Sequence, residues 1–174
     1  MPKQDIPVYV FTGFLESGKT TFIQDSLCDK EFNTGENILV LLCEEGVEEY
    51  DPRVFPTQKV SIQTIEDESD LTEENLIAFE KKYKPKHILV EYNGMWSMQS
   101  FYDAMPENWF IFRQMCFADA TKFITYNANM RQQTVDKIST SQMLIFNRAS
   151  EKTDTEEFHK IIRKIIMPKL FIFW

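Results

Sequence analysis

Long apolar runs, paired cysteines and basic charge are all scarce in this sequence. No segment of the 174 residues approaches the roughly 18 consecutive apolar residues of a membrane-spanning helix. The N-terminal residues MPKQDIPVYVF lack the basic and then apolar layout of a secretion signal. The three cysteines are odd in number and form no CxxC pair, which disfavours a disulfide scaffold. We therefore expect a cytoplasmic protein with no membrane partner.

The charge balance limits the classes of ligand that the protein can bind. Lysine and arginine together number 19 against 27 acidic residues, which gives a net charge of −8. Binding along a nucleic-acid backbone requires a basic stripe, so we expect no nucleic-acid partner. A small anion held by a local site is compatible with the same balance. Hydrophobic residues at 43% and charged residues at 26% are typical of a globular protein.

Seven short apolar runs are distributed along the chain, and several are continuously apolar instead of alternating. Runs of this kind are typical of strands that are covered on both faces, as in a parallel sheet. The predicted strands are residues 6–11, 37–43, 59–65, 87–92, 114–118, 142–146 and 169–174.

Segments between these runs predict helices. Residues 72–84 form an amphipathic helix with Asp70 as its N-cap and Glu73 at the capping-box position. Residues 121–137 and 155–167 form two more. Because strand and helix alternate, we predict a layered α/β domain with right-handed crossovers and a mostly parallel sheet of about seven strands.

The strongest signal is the loop sequence GFLESGKT, which matches GxxxxGK[ST] and lies between the first predicted strand and the helix-forming segment TTFIQDSL. Glycine lets main-chain N–H groups turn towards phosphate oxygens, and the helix N-terminus adds positive charge. Lys19 is predicted to bridge the terminal phosphates, and the Thr20 hydroxyl to bind Mg²⁺. The other predicted nucleotide contacts in this P-loop are Gly13, Glu16, Ser17, Gly18 and Thr21. The Glu16 carboxylate must point outward or meet a cation, because the loop binds anions.

Two later strand ends supply the rest of the predicted site. HILVEYNGMW ends an apolar strand at Glu91, which is placed to hold a Mg²⁺-bound water or to orient the attacking water. The Gly94 N–H is placed to approach a terminal phosphate. QMLIFNRAS ends in Asn147 and Arg148 and resembles the base-reading NKxD sequence of GTPases, with Arg148 available to stack on the base. Ser150 occupies the aspartate position, and a hydroxyl cannot accept two N–H bonds, so ATP stays a candidate beside GTP.

These elements resemble those of the CobW/HypB/UreG family of metal-chaperone GTPases, whose loop reads GFLGSGKTT where this chain has GFLESGKTT. Residues 91–94 are similar to the family's ExxG element, and residues 147–150 to its NKxD. The segment from Cys43 to Asp51 is similar to its NExGxxxxD switch segment. The similarity extends over nearly the whole chain, but only the loop matches strictly.

The resemblance implies a three-layer P-loop NTPase domain over residues 1–174, as the N-terminal part of a longer protein. It implies slow Mg²⁺-dependent hydrolysis of GTP, with Lys19 and Glu91 catalytic, and with Thr20, Asp51 and Glu91 positioning the metal. It also implies a metal cargo, a client metalloprotein and a homodimer. The family's CxCC metal motif has no counterpart here, because the corresponding region VSIQTIEDESD contains no cysteine.

Several alternatives stay open at this point. A degenerate scaffold that holds nucleotide without turnover is suggested by Glu16 and Ser150, and a P-loop kinase of a small acceptor is a further candidate. Cys43 and the acids that follow it form either a solvated switch loop or a metal site. The apolar and aromatic residues between 95 and 112 form either core or a partner surface.

Overall fold

Seven parallel strands form one sheet, with helices on both of its faces. In the computed structural model, the described residues are 4–44, 46, 49–165 and 170–173. The strands are β1 (Ile6–Gly13), β2 (Ile38–Leu42), β3 (Val60–Thr64), β4 (His87–Glu91), β5 (Trp109–Asp119), β6 (Met143–Asn147) and β7 (Leu170–Phe173). The helices are α1 (Lys19–Cys28), α2 (Glu73–Tyr83), α3 (Met98–Ala104), α4 (Phe123–Asn129), α5 (Arg131–Thr140) and α6 (Thr155–Arg163). Single 3₁₀ turns lie at Pro52–Val54 and Glu68–Asp70.

The strand order is β3-β2-β4-β1-β5-β6-β7, and every neighbouring pair is parallel. The predicted α/β class and parallel sheet are therefore confirmed. The chain places β2, β3 and β4 on one side of β1, and β5, β6 and β7 on the other. This reversal opens a crevice at the carboxyl end of β1, where ligands bind in open α/β sheets.

The buried side chains explain the three layers. On one face Val8, Val10 and Ile88 pack with Leu76 of α2 and Phe101 of α3. On the other face Phe11, Val40 and Leu89 pack with Ile23 and Leu27 of α1. Adjacent residues of one strand thus enter opposite cores, which is why the strand sequences are continuously apolar. None of the helices in the described residues is long and apolar enough to cross a membrane.

Two predicted boundaries were wrong. The N-cap of α2 is Thr72 and not Asp70, because the Thr72 hydroxyl accepts a hydrogen bond from the Asn75 N–H. The single helix predicted over residues 121–137 is divided into α4 and α5 at Met130, whose main chain leaves the helical region (φ −128°, ψ 48°).

The end of α6 and the start of β5 also differ from the predicted bounds. Helix α6 ends at Arg163, before the predicted end at residue 167, and residues 166–169 and 174 lie outside the described residues. Strand β5 begins at Trp109, five residues (114 − 109) before the predicted start at Gln114.

The apolar stretch between residues 95 and 112 is divided between core and surface. Met98, Phe101 and Trp109 are buried, whereas Met95, Phe110 and Phe112 are exposed. Three of the buried or partly buried members, Met98, Phe101 and Tyr102, lie on α3, and Trp96 and Met105 lie beside it; the sequence prediction lacked this helix. Most of this stretch therefore serves the core, and a smaller part faces solvent.

Candidate nucleotide-binding site

The loop between β1 and α1 turns sharply because of its glycines. Gly13 and Gly18 have positive φ angles of 132° and 98°, and Glu16 has a φ of 60°. A Cβ atom at Gly13 would lie 2.1 Å from the Phe117 carbonyl oxygen, and one at Gly18 would lie 2.4 Å from Asn147 Nδ2. Both conformation and space therefore require glycine at these two positions.

Lys19, the first residue of α1, has its side chain folded back over the loop. Its Nζ donates to the carbonyl oxygens of Gly13 and Phe14, each at 2.9 Å, and to Glu44 Oε2 at 2.6 Å. The lysine is only 2% exposed. A buried ammonium group is tolerated here because it is paired and hydrogen-bonded.

Glu44 follows β2 closely and reaches a second element of the site. Its Oε1 accepts a hydrogen bond from the Gly94 N–H at 3.2 Å, while its Oε2 binds Lys19. Gly94 is held tightly against the P-loop, since a Cβ atom there would lie 2.5 Å from the Gly13 carbonyl oxygen. One carboxylate thus connects the P-loop lysine with the turn after β4.

Glu91, the last residue of β4, is buried in the crevice. Its Oε1 accepts a hydrogen bond from the Thr20 hydroxyl at 2.6 Å, and its Oε2 accepts one from the Tyr50 hydroxyl. Burial raises the pKa of Glu91, and the hydrogen bonds from Thr20 and Tyr50 and the charge of Lys19 offset this only in part. The same contact, together with burial, raises the pKa of Tyr50, so the phenol stays a donor.

These side chains surround a cavity of about 240 Å³. Its lining residues are Leu15, Glu16, Gly18, Lys19, Thr20, Thr21, Glu44, Gly46, Glu91 and Arg148. Seven of the residues predicted for the site are therefore brought together. Four predicted residues do not line the cavity: Gly13, Ser17, Gly94 and Asn147. Three of them contact residues that do, because the Gly13 carbonyl accepts from Lys19, the Gly94 N–H donates to Glu44, and Asn147 lies against Gly18.

Two predicted residues are oriented differently. Ser17 is 2% exposed, and its hydroxyl has no hydrogen-bond partner among the described residues. The Asp51 carboxylate accepts hydrogen bonds from Arg53 Nε at 2.8 Å and from Nη2 at 2.9 Å, and Asp51 is not among the cavity-lining residues that the structure describes. Its assignment as a metal ligand stays a prediction.

The ends of β5 and β6 close the other side of the cavity. Asp119 and Asn147 are register partners, and the Asn147 amide donates to the Ser17 carbonyl at 3.3 Å. Arg148, at a φ of 58°, donates from one Nη1 to the Glu16 carbonyl at 2.8 Å and to Asp119 Oδ2 at 2.9 Å. Its guanidinium is therefore fixed against the loop.

The expectation for Glu16 is confirmed. Its carboxylate meets a cation, Lys122, with 3.3 Å between Oε2 and Nζ. Ser150 is engaged locally, because its hydroxyl accepts from the Lys152 N–H at 3.3 Å.

Sequence reasoning missed three residues of this arrangement: Glu44, Tyr50 and Asp119. The available signal is position. Asp119 ends β5, which pairs with β1, and Glu44 lies just after the carboxyl end of β2, which is separated from β1 by β4 alone. Burial raises the pKa of Asp119, but hydrogen bonds from Thr121 and the charges of Arg148 and Lys122 lower it more, so its net pKa is below the ordinary value.

The metal site considered at Cys43 and the acids after it is tested only in part, because Glu45 and Glu48 lie outside the described residues. Among the residues that the structure describes, no three or more His, Cys, Asp or Glu side chains are grouped so that they could hold a metal ion. Burial, with the neighbouring Glu91 and Glu44 charges, raises the pKa of the Cys43 thiol, which disfavours the thiolate form that metals bind.

Comparison with known families matches residues 7–172 to the family described as CobW/HypB/UreG, nucleotide-binding domain. The chain belongs to this family. The assignment covers nearly the whole chain, and the P-loop, Glu91, Gly94 and Asn147 all lie within the matched range.

Two solved structures are similar to this chain in fold. The Zn(II)-bound YjiA GTPase from E. coli has a TM-score of 0.63 and 17% sequence identity, over 92% of this chain and 54% of that chain. The hydrogenase maturation factor HypB from Archaeoglobus fulgidus has a TM-score of 0.67 and 13% sequence identity, over 98% of this chain and 81% of that chain. The chain thus spans about half the length of the YjiA structure. No curated protein sequence matches it.

Proposed function

We propose that this CobW-family chain binds GTP with Mg²⁺ and hydrolyses it slowly. The observation that carries the proposal is that Lys19 and Thr20 line one cavity at the carboxyl ends of β1 and β4, while the Gly94 N–H is joined to Lys19 Nζ through the Glu44 carboxylate. An ammonium group, a main-chain donor and a hydroxyl are the groups that bind and polarise a transferring phosphoryl group.

Each residue has a distinct part in this proposal. The loop amides and the N-terminus of α1 bind the phosphates, and Lys19 neutralises charge that develops on the terminal phosphate. Glu91 accepts hydrogen bonds in a buried position, and its raised pKa suits a group that orients the attacking water and accepts its proton. Gly94 positions the terminal phosphate.

The donor set fits Mg²⁺. Thr20 and Glu91 present a hydroxyl and a carboxylate 2.6 Å apart, and hard oxygen ligands of this kind are those that Mg²⁺ prefers. Thr20 and Glu91, directly or through water, would hold the ion, and Asp51 would join them only after leaving Arg53. When bound, Mg²⁺ supplies charge neutralisation for the phosphate oxygens.

The base is proposed to lie beside Asn147 and Arg148. Asn147 supports the loop through the Ser17 carbonyl, and the Arg148 guanidinium lies over the Glu16 main chain. Ser150 lacks the second acceptor of an aspartate, so we propose GTP as the ligand with ATP as its competitor.

The metallochaperone role is the broader part of the proposal. Nucleotide turnover would control delivery of a metal cargo to a client metalloprotein in the cytoplasm, with this domain forming a homodimer. The family assignment supports this role.

One observation favours a second candidate, a nucleotide-binding scaffold without turnover. Lys19 is neutralised by Glu44, so the catalytic charge is already satisfied within the protein. The kinase candidate has no such support, because Arg53, Arg113 and Arg131 are not among the described residues that line the cavity.

Phosphate release tests the choice. We expect Mg²⁺-dependent release from GTP, a fall of about a hundredfold in Lys19→Ala, and no change in Lys30→Ala, which removes an exposed cation beyond the other end of α1. Nucleotide binding with equal release rates in the wild type and Lys19→Ala would favour the scaffold. Competition between GTP and ATP, with and without Mg²⁺, measures the preference for the base.

A further inference from the structure

The two groups proposed to contact a terminal phosphate already share one anionic partner. Glu44 accepts from Lys19 Nζ at 2.6 Å and from the Gly94 N–H at 3.2 Å. The glutamate side chain is 10% exposed, so this carboxylate is largely withdrawn from solvent between two elements of the site.

We propose that the Glu44 carboxylate occupies the place of a terminal phosphate, and that it makes the site select nucleoside diphosphates over triphosphates. The inference rests on the proposed nucleotide site. It adds a specificity-determining residue, Glu44, whose effect depends on the number of phosphates and not on the base.

Donor counting supports the proposal. An ammonium group has three donors, and Lys19 Nζ directs them to the carbonyl oxygens of Gly13 and Phe14 and to Glu44. The Gly94 main chain has a single N–H, and Glu44 accepts it. A terminal phosphate can therefore reach either donor only after the carboxylate has left. The two anions cannot share the position, because like charges in a buried site repel each other strongly.

A diphosphate meets less of this competition, because the loop amides and the N-terminus of α1 can hold its phosphates while Glu44 keeps its contacts with Lys19 and Gly94. The hydrogen bonds of the Glu44 side chain are made to Lys19 and Gly94, and not to these amides. Only the third phosphate has to displace Glu44.

Glu44 also lies at one end of a connection whose other end contacts Glu91. Glu44 lies just after β2, and the chain continues from it to Tyr50, whose hydroxyl contacts Glu91. A triphosphate that releases Glu44 therefore changes the anchoring at one end of this connection, whereas a diphosphate leaves that anchoring in place.

The experiment compares affinities for GDP and for a non-hydrolysable GTP analogue, both with Mg²⁺, in the full chain. We expect Glu44→Gln to raise the affinity for the triphosphate about tenfold while the affinity for GDP changes less than about threefold. Glu49→Gln removes an exposed carboxylate from the same connection and is expected to leave both affinities unchanged.

A second variant separates contact from overall charge. Glu44→Asp keeps the negative charge but shortens the side chain, so that it cannot reach both donors. We expect its ratio of triphosphate to GDP affinity to lie near that of Glu44→Gln. Thermal unfolding of each variant establishes that the chain is folded.

The outcomes are distinguishable. Equal changes for GDP and the triphosphate, or a triphosphate affinity that falls in Glu44→Gln, would overturn the selectivity proposal and leave nucleotide binding intact. Triphosphate binding without GDP binding in the wild-type chain would also overturn the selectivity proposal alone, whereas absence of binding of both nucleotides in the folded wild-type chain would overturn the proposed function and this inference together.

Discussion

Two buried carboxylates at strand ends have opposite electrostatic environments. Glu91 is 3% exposed and Asp119 is 4% exposed. Burial dominates at Glu91 and raises its pKa above the ordinary 4.5. At Asp119 the hydrogen bonds from Thr121 and the Arg148 charge outweigh burial, and its pKa lies below the ordinary 3.8. The difference follows from the partners: Glu91 has mostly neutral donors, whereas Asp119 contacts a guanidinium.

The two residues should therefore affect stability with opposite dependence on pH. Above pH 4.5 the folded state holds the Glu91 proton more tightly than the unfolded state does, so the contribution of Glu91 to the free energy of unfolding falls as pH rises to its folded pKa. The contribution of Asp119 is present above pH 3.8 and is lost as pH falls through its folded pKa. The limiting slope in either window is about 1.4 kcal/mol per pH unit.

Urea unfolding across pH measures this. The free energy of unfolding of the wild type minus that of Glu91→Gln should decrease as pH rises above 4.5. The corresponding difference for Asp119→Asn should decrease as pH falls below 3.8. If both differences change in the same direction with pH, the causes assigned to the two pKa shifts are wrong.

At the scale of elements, the sequence was most informative where composition alone determines the structure. Continuous apolar runs identified the strands, since both faces of a parallel sheet are covered. The loop from Gly13 to Thr20 was identified because its glycines and lysine lie at fixed spacing. Helix α3 was missed because its seven residues carry no helical periodicity that distinguishes them from a buried turn.

Contacts between distant segments could not be predicted in the same way. Glu44 is 25 residues from Lys19 in sequence, and their contact depends on the order of β1, β4 and β2 in the sheet. The pairing of Asp51 with Arg53 is local, but sequence analysis assigned Asp51 to the metal by family pattern. Propensity identifies elements, whereas the site depends on which strand ends are neighbours.

The start of α2 offers a test at this scale. The Thr72 hydroxyl caps the helix by accepting from the Asn75 N–H, whereas Asp70 contributes a main-chain carbonyl to the Asn75 side chain. Thr72→Ala should therefore lower the free energy of unfolding by about 1 kcal/mol, because one N-terminal amide of the helix loses its partner.

Asp70→Ala is the matched control, and it should lower the free energy of unfolding by less than about 0.5 kcal/mol, since its main-chain contact to Asn75 is retained. Chemical denaturation of both variants measures the difference. A larger loss in Asp70→Ala would mean that the aspartate side chain is the functional cap.

For the whole molecule, the distinctive property is that an acidic protein is proposed to bind an anion. The net charge is −8, and the cavity lining has three acids, Glu16, Glu44 and Glu91, against Lys19 and Arg148. Local donors and the N-terminus of α1 hold the phosphates at contact, but the field beyond the cavity repels them. The affinity for nucleotide therefore depends on the groups in contact with it, whereas its association rate depends on the more distant acidic residues.

The rate of nucleotide association should consequently rise with ionic strength. Added salt shortens the Debye length from about 30 Å at 0.01 M to about 10 Å at 0.1 M, which screens the distant acids more than the groups in contact. Stopped-flow binding of a fluorescent GDP at fixed Mg²⁺ concentration measures the association rate constant. Glu16→Gln, which removes a negative charge from a residue lining the cavity, should raise this constant severalfold at low salt and flatten its salt dependence. Glu31→Gln, an exposed acid beyond the other end of α1, should alter it much less. An association rate that falls with salt would instead mean that the field of Lys19 and the helix N-terminus extends beyond the cavity and overcomes the net charge.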